Sequence, residues 1–176
     1  MQLTADAKIP FPRPLVFSTY RDKLVEMVPY FPNVRRIEVK SRKDEGNIVR
    51  FENVWHGGGE IPTAARAFIS DSMLSWTDHA KWDESTWTCH WRIETHAFTE
   101  AVTCEGENKF IEDGDGTTLQ IRGNLSIDAS KLKGVPGFLS GKVSKTVEEF
   151  LANKIRPNLI EVSAGVKSFL EAQKKG

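Results

Sequence analysis

Among the side chains able to do chemistry, the most suggestive group lies between residues 76 and 84. Asp78, His79, Asp83 and Glu84 stand among Trp76 and Trp82. Strict alternation puts Asp78 on the same strand face as Trp76, Ala80 and Trp82. A carboxyl group in apolar surroundings favours its protonated form, which suits a general acid, and His79 is a second acid–base candidate beside it. A buried, paired structural carboxylate is the commoner reason for such a residue. Arg50 and Arg66 are then its partners, or anchors for a ligand head group.

The remaining reactive groups point to less. On the stretch 86–98, His90, Arg92, Glu94 and His96 share one face, and Trp87, Cys89, Trp91 and Ile93 share the other. His90 and His96 stand about 20 Å apart along an extended strand, so they cannot share a metal, and no metal site is expected. Cys89 and Cys104 lack metal-ligand spacing and any surrounding nucleophile signature, and read as small buried hydrophobes. The run His56-Gly57-Gly58-Gly59-Glu60 is followed by Ile61-Pro62 rather than by a Lys-Ser/Thr pair on a helix. It therefore reads as a flexible strand connection, not a phosphate cradle.

Composition narrows the field. Twenty-four basic residues balance twenty-four acidic ones in 176 residues, and the isoelectric point is near 6.9. A charge-neutral chain has no basic excess to neutralise phosphates, so nucleic acid is not an expected partner. Mean hydropathy is −0.39, and no apolar run reaches the roughly 18 residues of a membrane span. The opening residues show neither a basic nor a hydrophobic leader region, so a cytoplasmic location is expected. One domain over 1–176 accommodates this length.

Positioning falls to two kinds of element. Gln2 to Ile9 alternates as a half-buried strand, and Pro10, Pro12 and Pro14 then forbid ladder pairing. Apolar residues three and four apart from Leu15 to Val28 predict one or two short helices between 14 and 31, interrupted by Pro29 and Pro32. Strand-like segments follow at 34–42, 47–55, 64–70, 74–82, 86–98, 101–112 and 117–128. Asp113-Gly114-Asp115-Gly116 marks a hairpin, and the short connections make the sheet antiparallel. From about Pro136 to Lys174 a single apolar stripe recurs at helical spacing, with Pro157 set to bend it. At about 1.5 Å per residue that helix exceeds roughly 50 Å, against a radius of gyration near 16 Å, so it must cross the whole domain.

This order resembles the START-like, helix-grip superfamily (polyketide cyclase-like and SRPBCC-type lipid-binding domains). The residues that carry the resemblance are Lys8-Ile9-Pro10-Phe11-Pro12-Arg13-Pro14-Leu15-Val16-Phe17, Tyr20-Arg21-Asp22, Met27 to Val34, and Gly116-Thr117-Thr118-Leu119 before the last strand. It implies an α+β fold: a curved antiparallel sheet of about seven strands, two short N-terminal helices, and one long C-terminal helix gripped by the sheet. It further implies a cavity between sheet and helix that takes a hydrophobic small molecule or lipid.

Four tryptophans between 76 and 91 suit such a wall, and suit a solid core equally. The expected ligand-binding residues are Trp55, Arg66, Trp76, Trp91, Phe110, Leu125, Val147, Phe150, Leu151 and Leu159. Val135, Phe138 and Leu139, flanked by lysines, form a lip that could touch a membrane surface transiently. The leading expectation is therefore a non-catalytic binder or carrier of an apolar molecule, with no cofactor. A cyclase- or dehydratase-like enzyme using Asp78 or His79 is the alternative, and a co-chaperone-like interaction module is a third.

Overall fold

The computed structural model describes residues 1–58, 74–96, 99–131 and 160–174. Seven strands form one sheet: β1 (Gln2–Ile9), β2 (Val34–Glu45), β3 (Ile48–Gly57), β4 (Ser75–Asp83), β5 (Thr88–Thr95), β6 (Val102–Asp113) and β7 (Gly116–Ile127). Their spatial order is β1-β7-β6-β5-β4-β3-β2, antiparallel throughout. Only β1 departs from a simple meander, pairing with the last strand rather than with β2. Two tight hairpins turn at glycines in the left-handed region, Gly46 with φ 66° and Gly114 with φ 62°. There a side chain would strain the backbone. Register shifts at Val34/Arg36 and Val39/Ser41 interrupt the β2–β3 ladder, and bulges of this kind bend and twist a sheet.

One face of the sheet is apolar and covered. Helix α1 (Arg13–Asp22) begins with Pro14 in its first turn and buries Val16, Phe17 and Thr19. Phe17 meets Trp82, Trp87 and Phe110 edge-on, with ring centroids 5.2, 5.3 and 5.1 Å away. A second helix before the sheet does not form. Pro29 and Pro32 confine that segment to a single 3-10 turn, Val28–Tyr30, because each proline removes a donor from the helical ladder. The C-terminal helix, α2, is described over 160–173. Val166, Phe169 and Leu170 are buried on it at three- and four-residue spacing, as the sequence periodicity predicts, while Ser163 and Gly165 are buried with them and the predicted Val162 is half-buried. It lies against the 3-10 turn, where Phe169 packs edge-on to Tyr30 at 5.8 Å and Lys174 sits 4.4 Å over the Phe11 ring.

The strand predicted at 64–70, the lip at Val135, Phe138 and Leu139, and most of the predicted helical stripe lie outside the described residues. Among the described residues, no helix is long and apolar enough to cross a membrane.

Candidate functional site

The inner face can be read in rows running across the strands. One row is Trp55–Trp76–Thr95, the next Asn53–Asp78–Ile93–Cys104–Leu125, and the next Phe51–Ala80–Trp91–Gly106–Gly123–Leu3. Trp55 and Trp76 stack at 5.8 Å and 17°, and Phe31 extends the stack on Trp55 at 6.1 Å and 23°. Trp91 needs small neighbours. A Cβ added at Gly106 or Gly123 would come within 2.5 and 2.7 Å of its indole carbons. Alanine at position 80 and glycines at 106 and 123 thus let the ring lie along the sheet, where its Nε1–H donates to Asn108 Oδ1 at 2.9 Å.

Asp78 is the ionisable member of this wall. Its carboxyl is pushed up to about 6, chiefly by loss of water, while Asn53, His79 and Trp55 favour its charged form. It is half-buried, whereas its neighbours Asn53 and Trp55 are buried. Around it three buried polar atoms have no hydrogen-bond partner among the described residues: Asn53 Oδ1, Trp55 Nε1 and Thr95 Oγ1. Leaving such a group unpaired costs about 1–3 kcal/mol. Trp55 Nε1 acts on the carboxylate but falls outside hydrogen-bond geometry. Further along the same face, dehydration raises the Tyr20 phenol far above its ordinary value, with Cys89 and Asp78 adding and Asn108 opposing. Tyr20 therefore stays a neutral hydroxyl. Burial likewise pushes up the Cys89 thiol, and it takes Cys104 to about 11. Neither sulfur is a ready nucleophile. The two are free and belong to different rows, Cys89 opposite Asn108 and Cys104 opposite Ile93.

Of the expected site residues, Trp55, Trp76, Trp91 and Leu125 join Asp78 on the inner face. Phe110 shares that face but sits under α1 with Phe17 and Trp82. Arg66, Val147, Phe150, Leu151 and Leu159 lie outside the described residues. His79 is placed apart from Asp78. It faces the other side of the sheet, 3.2 Å from Glu94, because neighbouring residues on a strand point oppositely.

That outer face also holds His56, His90 and His96. Their partners are Glu38 at 2.8 Å, Glu107 at 3.2 Å and the Thr77 hydroxyl at 2.8 Å. Arg92 is there too, 3.6 Å from Glu94. A shallow hollow on this side, lined by His79, Lys81, His90, Arg92, Glu105 and Arg122 among others, is thus a field of polar and charged side chains paired within and between strands. Among the described residues no three potential metal ligands come together. Asn53, Asn108 and Tyr20 were not among the expected site residues. Their signal was a polar residue standing in the apolar phase of an alternating strand, and for Tyr20 in a helical stripe.

No family profile matches the chain, and no curated protein matches its sequence. Solved structures do match. The protein TTHA0849 from Thermus thermophilus superposes with a TM-score of 0.63 at 18% identity, over 96% of this chain and 98% of that one. The Zhui aromatase/cyclase from Streptomyces sp. R1128 gives 0.67 at 15%, over 97% and 93%. Ara h 8.0201 gives 0.55 at 12%, over 98% of each chain. These likenesses establish the fold, a helix grip: among the described residues, a seven-stranded curved antiparallel sheet accompanied by one short N-terminal helix and a C-terminal helix.

Proposed function

We propose that this chain binds a small apolar, lipid-like molecule between the inner face of the sheet and the C-terminal helix, and that it does so without altering the molecule chemically. The observation that carries the reading is the wall itself. It is aromatic and aliphatic, with one half-buried carboxyl and three unpaired polar atoms set into it. A few convergent polar groups in an apolar surround are what ligand sites use to fix orientation. In this proposal Trp55, Trp76, Trp91 and Leu125 supply one wall. Val147, Phe150, Leu151 and Leu159, from the helical stripe, supply the other, and Arg66 serves as an anchor for the ligand's polar end. Burial of the ligand's hydrocarbon is worth about 25 cal/mol per Å².

The test is native mass spectrometry and organic-solvent extraction of the purified protein. An apolar molecule retained near one per chain, and recovered unchanged after incubation, is the expected result. A protein that retains nothing and binds no apolar probe overturns it.

A second reading has one observation in its favour. A carboxyl group pushed up to about 6 exchanges protons readily near neutral pH, as an acid–base catalyst of a cyclase or dehydratase must. An aromatase/cyclase among the structural neighbours fits this reading. It predicts that incubation converts the molecule, and that Asp78→Asn abolishes conversion while binding persists.

A further inference from the structure

Resting on the binding reading above, we infer that the molecule's polar end is a hydroxyl, an alcohol or a phenol, and not a carboxylate. The argument is a matching of donors and acceptors at one spot on the inner face. Asn53 lies directly across the β3–β4 ladder from Asp78, and Trp55 lies two residues further along the same strand face. Asn53 is 3% exposed and Trp55 is 7% exposed, so both are committed to the interior. What they leave unpaired among the described residues is complementary: Asn53 Oδ1 can only accept a hydrogen bond, and Trp55 Nε1, beside the Asp78 carboxylate but outside hydrogen-bond geometry, can only donate one. Between them Asp78 adds carboxyl oxygens, and it is the member that retains solvent contact.

A hydroxyl both donates and accepts. Delivered beside Asp78, it gives its one proton to Asn53 Oδ1 and takes the indole N–H on its lone pair. A carboxylate satisfies only the indole. It sets its charge against the Asn53 and Asp78 oxygens in a site with little water, where like charges repel strongly. An ether or ester oxygen accepts from the indole but leaves Asn53 Oδ1 unpaired. Discrimination of this kind is steep when a missing hydrogen strands a buried polar atom.

Three ligands of equal chain length separate the possibilities: decanol, decyl methyl ether and decanoate, titrated into the full-length protein by calorimetry at pH 7.5. Decanol is expected to bind at least about tenfold tighter than decanoate and several-fold tighter than the ether, since each of these leaves a buried polar group unpaired. Asp78→Asn should shrink the alcohol-to-carboxylate ratio to within about threefold by removing the repelling charge. Trp55→Phe, which keeps an aromatic ring, should weaken decanol several-fold. If that variant fails to fold, Asp78→Asn still decides. Equal affinity for all three ligands, or a preference for decanoate, overturns the hydroxyl assignment and leaves the apolar site standing. Failure of all three to bind overturns the site itself.

Discussion

A carboxyl group set opposite Asn53 and beside Ile93 gives up most of its hydration, and Asp78 carries the consequence in its proton affinity. Its ordinary value of 3.8 rises to about 6 in the fold. A group whose folded value exceeds its unfolded one favours the native state fully only below the unfolded value. That contribution is lost as pH climbs through the folded value. Ionised Asp78 therefore burdens the native state at neutral pH. The shift alone corresponds to about 3 kcal/mol, and the solvent contact that Asp78 retains reduces this to about 2 kcal/mol. Asp78→Asn should accordingly be more stable than the parent by about 1–2 kcal/mol at pH 8, with the advantage gone by pH 4. Urea unfolding at the two pH values measures this, and an unchanged midpoint at pH 8 would show that the carboxylate is fully compensated. Asp78 was legible in the sequence because a charged residue interrupts the apolar phase of its strand. Asn53 breaks the phase of Val49, Phe51 and Trp55 in the same way. It went unread because an uncharged amide in a strand looks like an ordinary solvated side chain. His79 shows the opposite limit: adjacency in sequence suggests a pair, yet the two-residue period sends it to the other face.

At the level of elements, alternation and turn chemistry made the sheet readable. Gln2 to Ile9 forms a strand with the bounds its alternation predicts, and the Gly114 turn falls where the Asp-Gly pair marked it. Strand ends were less legible: the strand predicted from residue 86 begins only at Thr88 and its described part ends at Thr95, while residues 97 and 98 lie outside the described residues. One reason is Trp87, which takes φ 56° and belongs to the turn. A bulky residue occupies the left-handed region only when tertiary contacts hold it, and here Arg13 stacks at 4.6 Å and Phe17 packs edge-on at 5.3 Å. Such contacts are invisible to local pattern. The seating of α2 gives a test at this scale. A Cβ at Gly165 would fall 2.5 Å from a Phe31 ring carbon and 3.0 Å from the Tyr30 carbonyl oxygen. Gly165→Ala gains about 1 kcal/mol of helix propensity, but overpacking of this kind costs about 1–3 kcal/mol. The clash includes backbone, which yields little. We expect net destabilisation, seen as a Tm lowered by about 2–6 °C for a chain of this size. A raised Tm would mean that α2 is not pressed against the 3-10 turn.

Across the whole molecule, the order of elements told more than any motif. A long antiparallel meander followed by a helical stripe leaves few ways to bury both, and wrapping the sheet about the helix is the economical one. What pattern could not convey is how completely the space between them is filled, because aromatic content serves a solid core and a ligand wall alike. Thermodynamic linkage separates these cases without identifying the ligand. A molecule that binds only the folded chain adds about 2.7 kcal/mol of stability when present at a hundred times its Kd. The stack of Phe31, Trp55 and Trp76 and the unpaired atoms beside it would be among the first groups to lose contacts on its removal. Stripping the purified protein with a hydrophobic resin should therefore lower its Tm by several degrees, and adding back the solvent extract should restore it. Tryptophan emission should shift to the red on stripping and return on refilling, since Trp76 is only half-buried and would meet water. If stripping changes neither Tm nor emission, and no apolar compound raises Tm, the interior is complete without a guest. The unpaired atoms at Asn53 and Trp55 would then be a standing cost of the fold rather than the mark of a ligand.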